Sequence, residues 1–129
     1  MKTASFFTYS GPGRISIARY APRGTPAGYR QFRALAPDAD MLNMSQALYL
    51  PRYQAILHRL DPRQVWDELH RLAGDYEPVL LCWERPPFTA SNFCHRRLVA
   101  EWFQQCLGVD VAELGVPPAP GGEQTALDL

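Results

Sequence analysis

A short polar motif, Cys94-His95-Arg96-Arg97, stands where a loop gives way to a helical pattern of apolar residues. The N–H groups at a helix N-terminus attract negative charge and stabilise the thiolate of a cysteine placed there. The same surroundings can hold a phosphate or a carboxylate. The motif therefore fits either a nucleophilic cysteine or an anion-binding site, in which Arg96 binds the anion and His95 orients it or transfers a proton.

The same motif also has a structural interpretation. His95 precedes Leu98 and Val99 by three and four residues, so its ring can face the protein interior and form a hydrogen bond there. In that case Arg96 and Glu84 would form a buried ion pair that ties the loop to the helix. The sequence thus leaves two classes open, an enzyme or ligand-binding protein and a non-catalytic interaction module.

The chain holds three cysteines, Cys82, Cys94 and Cys106. The N-terminus has no apolar run of the kind that a signal peptide needs, so we expect a cytoplasmic protein with free thiols. Cys106 falls on the apolar stripe of a helix and is predicted to be a core residue. The spacing of Cys82, Cys94 and His95 lacks the paired ends of a structural zinc site, so neither a metal nor a cofactor is predicted. A metal held by these three residues and one more ligand is the alternative.

Charge is balanced overall but unevenly distributed. The 129 residues include 13 basic and 13 acidic side chains, which argues against a bulk nucleic-acid binder. All the charged residues in 1–37 are basic, which indicates an anion-facing surface near the N-terminus. No segment approaches the roughly 18 apolar residues of a membrane span, so no membrane partner is expected.

Apolar patterns predict strands that alternate with helices. Strands are expected over 14–20, where apolar residues alternate, over the continuous apolar run 79–83, and over 109–114. Helices are expected over 46–60, between Asp61 and Gly74, and up to Gly108, whereas residues 27–43 are ambiguous. We therefore predict a single α/β domain over residues 1–114, a small, mainly parallel sheet flanked by helices, followed by a disordered Pro/Gly-rich tail over 115–129.

In parallel α/β sheets, ligands gather at the carboxyl ends of the strands. One predicted strand leads into Arg19 and Arg23, the next leads into Cys82 and Glu84, and a helix begins at Cys94. These groups are expected to share one crevice that binds a phosphate-bearing small molecule, a nucleotide or a nucleic-acid fragment. The predicted ligand-binding residues are Arg19, Arg23, Arg96 and Cys82, and the predicted catalytic residues are Cys94, Glu84 and His95.

Two segments, LLCWERPP at 80–87 and CHRRLVAEW at 94–102, resemble the two-part motif of the domain of unknown function 488 family. In that motif a strand ends in Leu-Cys-x-Glu, and Cys-His-Arg opens a helix. Residues 17–22 resemble a further family segment, Asp-Val-Arg-x-x-Pro, with Arg19 in the Arg position but without the acidic residue. The resemblance covers residues 10–114 and brings no settled activity. It implies that one constellation is formed by Arg19, Cys82, Glu84, Cys94, His95 and Arg96.

Overall fold

The protein forms a five-stranded, all-parallel sheet with three α-helices, as seen in a computed structural model that describes residues 1–89 and 92–115. The strands are β1 (Lys2–Ser5), β2 (Arg14–Ser16), β3 (Arg30–Gln31), β4 (Val79–Cys82) and β5 (Ala112–Glu113), in the order β3-β2-β4-β1-β5. The helices are α1 (Gln46–His58), α2 (Pro62–Ala73) and α3 (His95–Leu107). The predicted small α/β fold is confirmed. Residues 116–129 of the predicted tail lie outside the described residues.

The central strand β4 explains why its sequence is a continuous apolar run. All four of its residues are buried, and it pairs with β1 on one side and β2 on the other. A parallel strand covered on both faces buries successive side chains, so it shows no polar alternation. The register places Cys82 of β4 beside Ser5 of β1, and Leu81 beside Ser16 of β2. The carboxyl ends of these three strands therefore lie along one edge of the sheet.

The helix boundaries follow local signals in the sequence. The Asp61 carboxylate caps α2 by accepting the backbone N–H groups of Arg63 and Gln64, at 2.9 and 3.2 Å. Cys94 is the N-cap residue of α3, so the Cys-His-Arg motif does open a helix. Gly108 ends α3 with a φ of 69°, the left-handed conformation that glycine adopts without steric cost.

The ambiguous segment 27–43 contains the short edge strand β3 and two 3-10 turns, Arg33–Leu35 and Ala39–Met41. Pro51 lies inside α1, so this helix does not begin at the proline. No helix within the described ranges is long and apolar enough to cross a membrane.

Candidate functional site at the carboxyl ends of the strands

The fold brings together several of the predicted site residues at the edge formed by the strand ends. Cys82 ends β4, and Cys94, His95 and Arg96 stand at the start of α3. One sulfur or nitrogen atom from each of Cys82, Cys94 and His95 lies within 4.8 Å of the other two, and all three residues are buried. We refer to these three residues as the sulfur–imidazole cluster.

The two cysteines of this cluster form a disulfide bond. The prediction of free thiols is therefore wrong for Cys82 and Cys94. The physical reason is tertiary: the parallel strand delivers Cys82 to the same edge at which α3 begins, so residues 12 apart in sequence have Cα atoms only 7.0 Å apart. A nucleophilic role for Cys94 would first require reduction of this bond. Cys106, predicted to lie in the core, is instead exposed and free.

The His95 ring faces the interior, as one of the two interpretations of the motif predicts. Its Nε2 lies 2.7 Å from the carbonyl oxygen of Ile17, and its ring centroid lies 5.2 Å from that of Tyr53. Because a carbonyl oxygen only accepts, Nε2 carries the hydrogen and Nδ1 keeps its lone pair. The pKa of His95 is lowered to about 4, chiefly by burial; the bond to Ile17 opposes this effect and the Arg96 charge adds to it. His95 is therefore neutral at pH 7.

Arg96 is completely buried, and each of its three side-chain nitrogens donates to a protein acceptor. Nε and Nη2 bind the Glu113 carboxylate at 2.9 and 2.7 Å. Nη2 also donates to the Glu84 carbonyl oxygen at 2.7 Å, and Nη1 lies 3.2 Å from Cys82 Sγ. The prediction that Glu84 is the ion-pair partner of Arg96 is therefore wrong: the carboxylate comes from Glu113, and Glu84 contributes only its backbone carbonyl group. The sequence could not identify Glu113 as the partner, because Glu113 lies on β5 and approaches Arg96 only when that strand joins the sheet.

The ion pair belongs to a buried polar network that attaches α3 to the sheet. The Thr3 hydroxyl donates to the Glu113 carboxylate at 2.6 Å. Arg97 Nη1 donates to the same hydroxyl at 2.8 Å and to the Val111 carbonyl oxygen at 2.9 Å. These bonds connect the first turn of α3 to β1 and β5. Both arginines of the motif therefore have structural partners within the protein.

Three exposed aromatic residues follow the carboxyl ends of the central strands, and of these the sequence pattern had pointed only to Tyr20. Phe7 follows β1, Tyr20 follows β2 and Trp83 follows β4, with exposed fractions of 48%, 57% and 43%. The Phe7 and Trp83 ring centroids are 6.1 Å apart, and Trp83 Nε1 donates to the Tyr20 carbonyl oxygen at 2.7 Å. We call this contiguous surface the aromatic cluster. The signal in the sequence was a large aromatic residue after each strand end.

Arginine side chains flank the aromatic cluster on both sides. The Arg85 guanidinium carbon lies 5.2 Å from the Phe7 ring centroid, and that of Arg19 lies 5.8 Å from the Tyr20 ring centroid. Arg19 Nε is buried and has no hydrogen-bond partner among residues 1–89 and 92–115. Arg23 is exposed a few residues further along the same loop. The structure thus places Arg19 beside this surface and adds Arg85 to it.

Glu84, a predicted catalytic residue, is half-buried between exposed Trp83 and Arg85 in the sequence. Its charge reinforces the effect of burial in raising the pKa of Tyr49.

The basic residues near the N-terminus do not form one patch. Lys2, Arg14 and Arg30 are the first residues of β1, β2 and β3, so they lie at the amino ends of these parallel strands. Arg14 is buried and donates to three backbone carbonyl groups. Arg19 and Arg23 follow the carboxyl end of β2, at the opposite edge of the sheet. The basic residues near the N-terminus are thus divided between the amino ends and the carboxyl ends of the strands.

Comparisons of this chain with protein-family models, with curated proteins and with solved structures give no match. The resemblance to the domain of unknown function 488 motif therefore stays a prediction, and support for a function comes from the geometry of the site.

Proposed function

We propose that the protein binds a phosphate-bearing ligand, a nucleotide or a short nucleic-acid fragment, on the aromatic cluster at the carboxyl ends of the strands. The observation that supports this proposal most directly is contiguity. The Phe7 and Trp83 rings contact each other, the Trp83 indole N–H bonds to the Tyr20 backbone, and a guanidinium lies beside the Phe7 ring and beside the Tyr20 ring. Stacking surfaces combined with cationic groups are what single-stranded nucleic acids and nucleotides require.

The rings would contribute through stacking. A base stacked on an aromatic side chain contributes about 1–3 kcal/mol to binding. Stacking does not discriminate between bases, because every base has a π face. Trp83 offers the largest ring, and its position is fixed by the hydrogen bond to the Tyr20 backbone. A ring held in place before binding loses little conformational freedom when the ligand arrives.

The arginines would contribute through the phosphate. A guanidinium presents planar, paired donors that match phosphate oxygens. The buried Nε of Arg19 is without a partner among the described residues, and an unsatisfied buried donor costs about 1–3 kcal/mol. A phosphate oxygen that reaches this N–H would remove that cost. We therefore assign the anion to Arg19, Arg23 and Arg85, because Arg96 already has its partners within the protein.

The proposed ligand is small. Long nucleic acids need many phosphate contacts for their affinity, and the chain has equal numbers of basic and acidic residues. Three rings offer room for a few bases at most. A cytoplasmic location, where such ligands occur, is part of this proposal.

A binding function fits the observed state of the protein better than catalysis does. Cys94 is 3% exposed and bonded to Cys82, and His95 is 6% exposed. A ligand on the aromatic cluster would not contact either group while the disulfide is intact. Catalysis through Cys94, His95 and Glu84 would belong to the reduced protein.

The second candidate is a non-catalytic interaction module, in which the aromatic cluster binds a protein segment. The observation in its favour is that His95, Arg96 and Arg97 all bond to the protein's own backbone or side chains. The Cys-His-Arg motif is then a structural helix start. The two candidates differ in their response to phosphate, because only the first one requires it.

The experiment is a calorimetric titration of the protein with mononucleotides and short single-stranded oligonucleotides, carried out at two salt concentrations. We expect Trp83→Ala to weaken binding about tenfold or more, which corresponds to the loss of one stacked base. Arg85→Gln should weaken binding and lower the dependence of log K on log salt by about one.

The matched control is Tyr76→Ala. Tyr76 is 58% exposed and lies just before β4, at the amino edge of the sheet, so its removal should leave affinity unchanged. Equal affinities for wild type and Trp83→Ala would contradict the proposed site. Binding of a peptide without any phosphate dependence would favour the interaction module.

A further inference from the structure

The sulfur–imidazole cluster is not used by the proposed ligand site, and its chemistry points elsewhere. Two sulfur atoms and one imidazole nitrogen lie together in the interior, at the junction of β4 and α3. We propose that the reduced protein binds a zinc ion between Cys82, Cys94 and His95. This inference does not depend on the proposed function.

The donor atoms are of the right kind and at workable distances. Zinc binds thiolate sulfur at about 2.3 Å and imidazole nitrogen at about 2.0–2.1 Å in a tetrahedral arrangement. The ligand atoms of such a site are therefore about 3.5–4 Å apart. The atoms offered by Cys82, Cys94 and His95 all lie within 4.8 Å of one another. Once the disulfide is reduced, the two sulfur atoms must move apart to the spacing of zinc ligands, while His95 is already within reach.

The hydrogen bond of His95 prepares its ring for a metal. Histidines that bind metals generally donate their second ring N–H to a carbonyl or carboxylate, which fixes the tautomer and the ring plane. The Nε2–H of His95 donates to the Ile17 carbonyl oxygen at 2.7 Å. Nδ1 is then the unprotonated nitrogen, and it is the atom that would bind the zinc ion.

Charge balance favours a divalent cation. Two buried thiolates would carry two negative charges, and buried charges need compensation. Arg96 Nη1 lies 3.2 Å from Cys82 Sγ, but the carboxylate of Glu113 already neutralises this guanidinium. A divalent ion would balance the charge of the two thiolates, and the Arg96 N–H would donate a hydrogen bond to the zinc-bound sulfur of Cys82.

The disulfide and the zinc site are alternative states of the same cysteines. A phosphine reductant breaks the S–S bond, giving two thiols while the phosphine takes an oxygen atom from water and becomes the phosphine oxide. Zinc then replaces the two thiol protons, which are released. Within the described residues no further His, Cys, Asp or Glu joins the group. A fourth position would be left for water, as in zinc sites with three protein ligands.

The experiment uses the full chain, reduced with a phosphine under inert gas and freed of metal with a chelator. After addition of zinc and gel filtration, elemental analysis should find one zinc ion per chain. Cobalt added in place of zinc should give thiolate charge-transfer absorption and tetrahedral d–d bands. The disulfide-bonded protein should retain no zinc, and Cys94→Ser should lose it. Cys106→Ser, which alters the exposed thiol, is the matched control and should bind as wild type does.

Reduced wild type that keeps its native circular dichroism but retains no zinc would overturn the proposal. Undiminished zinc in folded Cys94→Ser would overturn it as well. If Cys94→Ser fails to fold, alkylation of wild type decides instead. Zinc should then slow the alkylation of Cys82 and Cys94 relative to the reduced, metal-free protein and leave the rate at Cys106 unchanged, whereas equal rates with and without zinc would refute the site.

Discussion

The buried ion pair between Arg96 and Glu113 makes a sharp prediction about stability. The Glu113 carboxylate accepts hydrogen bonds from Arg96 Nε at 2.9 Å, from Arg96 Nη2 at 2.7 Å and from the Thr3 hydroxyl at 2.6 Å. The Arg96 and Glu113 side chains are 0% and 4% exposed. Glu113→Gln keeps the shape of the side chain but removes its charge, so it leaves a buried guanidinium without a counterion.

Removing one partner of a buried pair costs about 3–5 kcal/mol. Arg96 would keep the Glu84 carbonyl oxygen, Cys82 Sγ and the Phe88 ring, whose centroid lies 4.9 Å from the guanidinium carbon. Because these contacts partly compensate the buried charge, we expect the free energy of unfolding to decrease by about 3 kcal/mol, the lower limit of that range. Against a typical total of about 5–15 kcal/mol, this loss leaves the variant folded but clearly weakened.

Urea denaturation followed by circular dichroism measures this loss, with Glu101→Gln on the exposed side of α3 as the matched control. Arg96→Met and the double variant with Glu113→Gln complete a double-mutant cycle. The double variant should be less destabilised than the sum of the single changes, because it contains no unpaired charge. A loss below about 1 kcal/mol for Glu113→Gln would refute the reasoning, since that is the range of solvent-screened pairs.

Two further predictions concern the buried cluster. Reduction of the Cys82–Cys94 bond in chelator-treated protein should lower the free energy of unfolding by about 3 kcal/mol, given the sequence separation of 12; equal stability before and after reduction would contradict it. In the disulfide-bonded protein, His95 has a pKa of about 4 against an ordinary 6.5. The unfolded chain therefore binds a proton that the folded chain does not, and stability should fall by roughly 3 kcal/mol as the pH decreases from 6.5 to 4. His95→Asn should lack this component of the pH dependence, and an unchanged profile would count against it.

Local patterns were sufficient to predict the elements with the strongest signals. The Asp61-Pro62 start and Gly74 end of α2 depend on neighbouring residues alone, and the apolar run of β4 reflects its central place in the sheet. By contrast, β1 (Lys2–Ser5) has no apolar alternation, because Thr3 and Ser5 are buried through bonds to distant groups. β3 has two exposed residues at the edge of the sheet, too few to form a pattern.

The placement of the candidate residues at the strand ends was predicted better than the partners that they contact. Because the carboxyl ends of parallel strands lie at one edge of a sheet, we predicted that Arg19, Cys82 and Cys94 share that edge, and in the structure they do. The sequence could not identify Glu113 as the counterion of Arg96, since that contact depends on how β5 joins the sheet. The disulfide and the aromatic cluster likewise depend on the order of the strands in the sheet. The pattern of apolar residues along the sequence does not reveal that order.

The most direct test of the central claim is nuclear magnetic resonance of the three tryptophan indole N–H groups during a titration with a mononucleotide. Trp66 and Trp102 lie on α2 and α3, where both rings pack against Phe103, and provide internal references. We predict that the Trp83 indole signal shifts in a saturable way while the other two stay unchanged. A titration in which Trp83 does not move, or in which all three signals move together, would contradict a ligand site on the aromatic cluster.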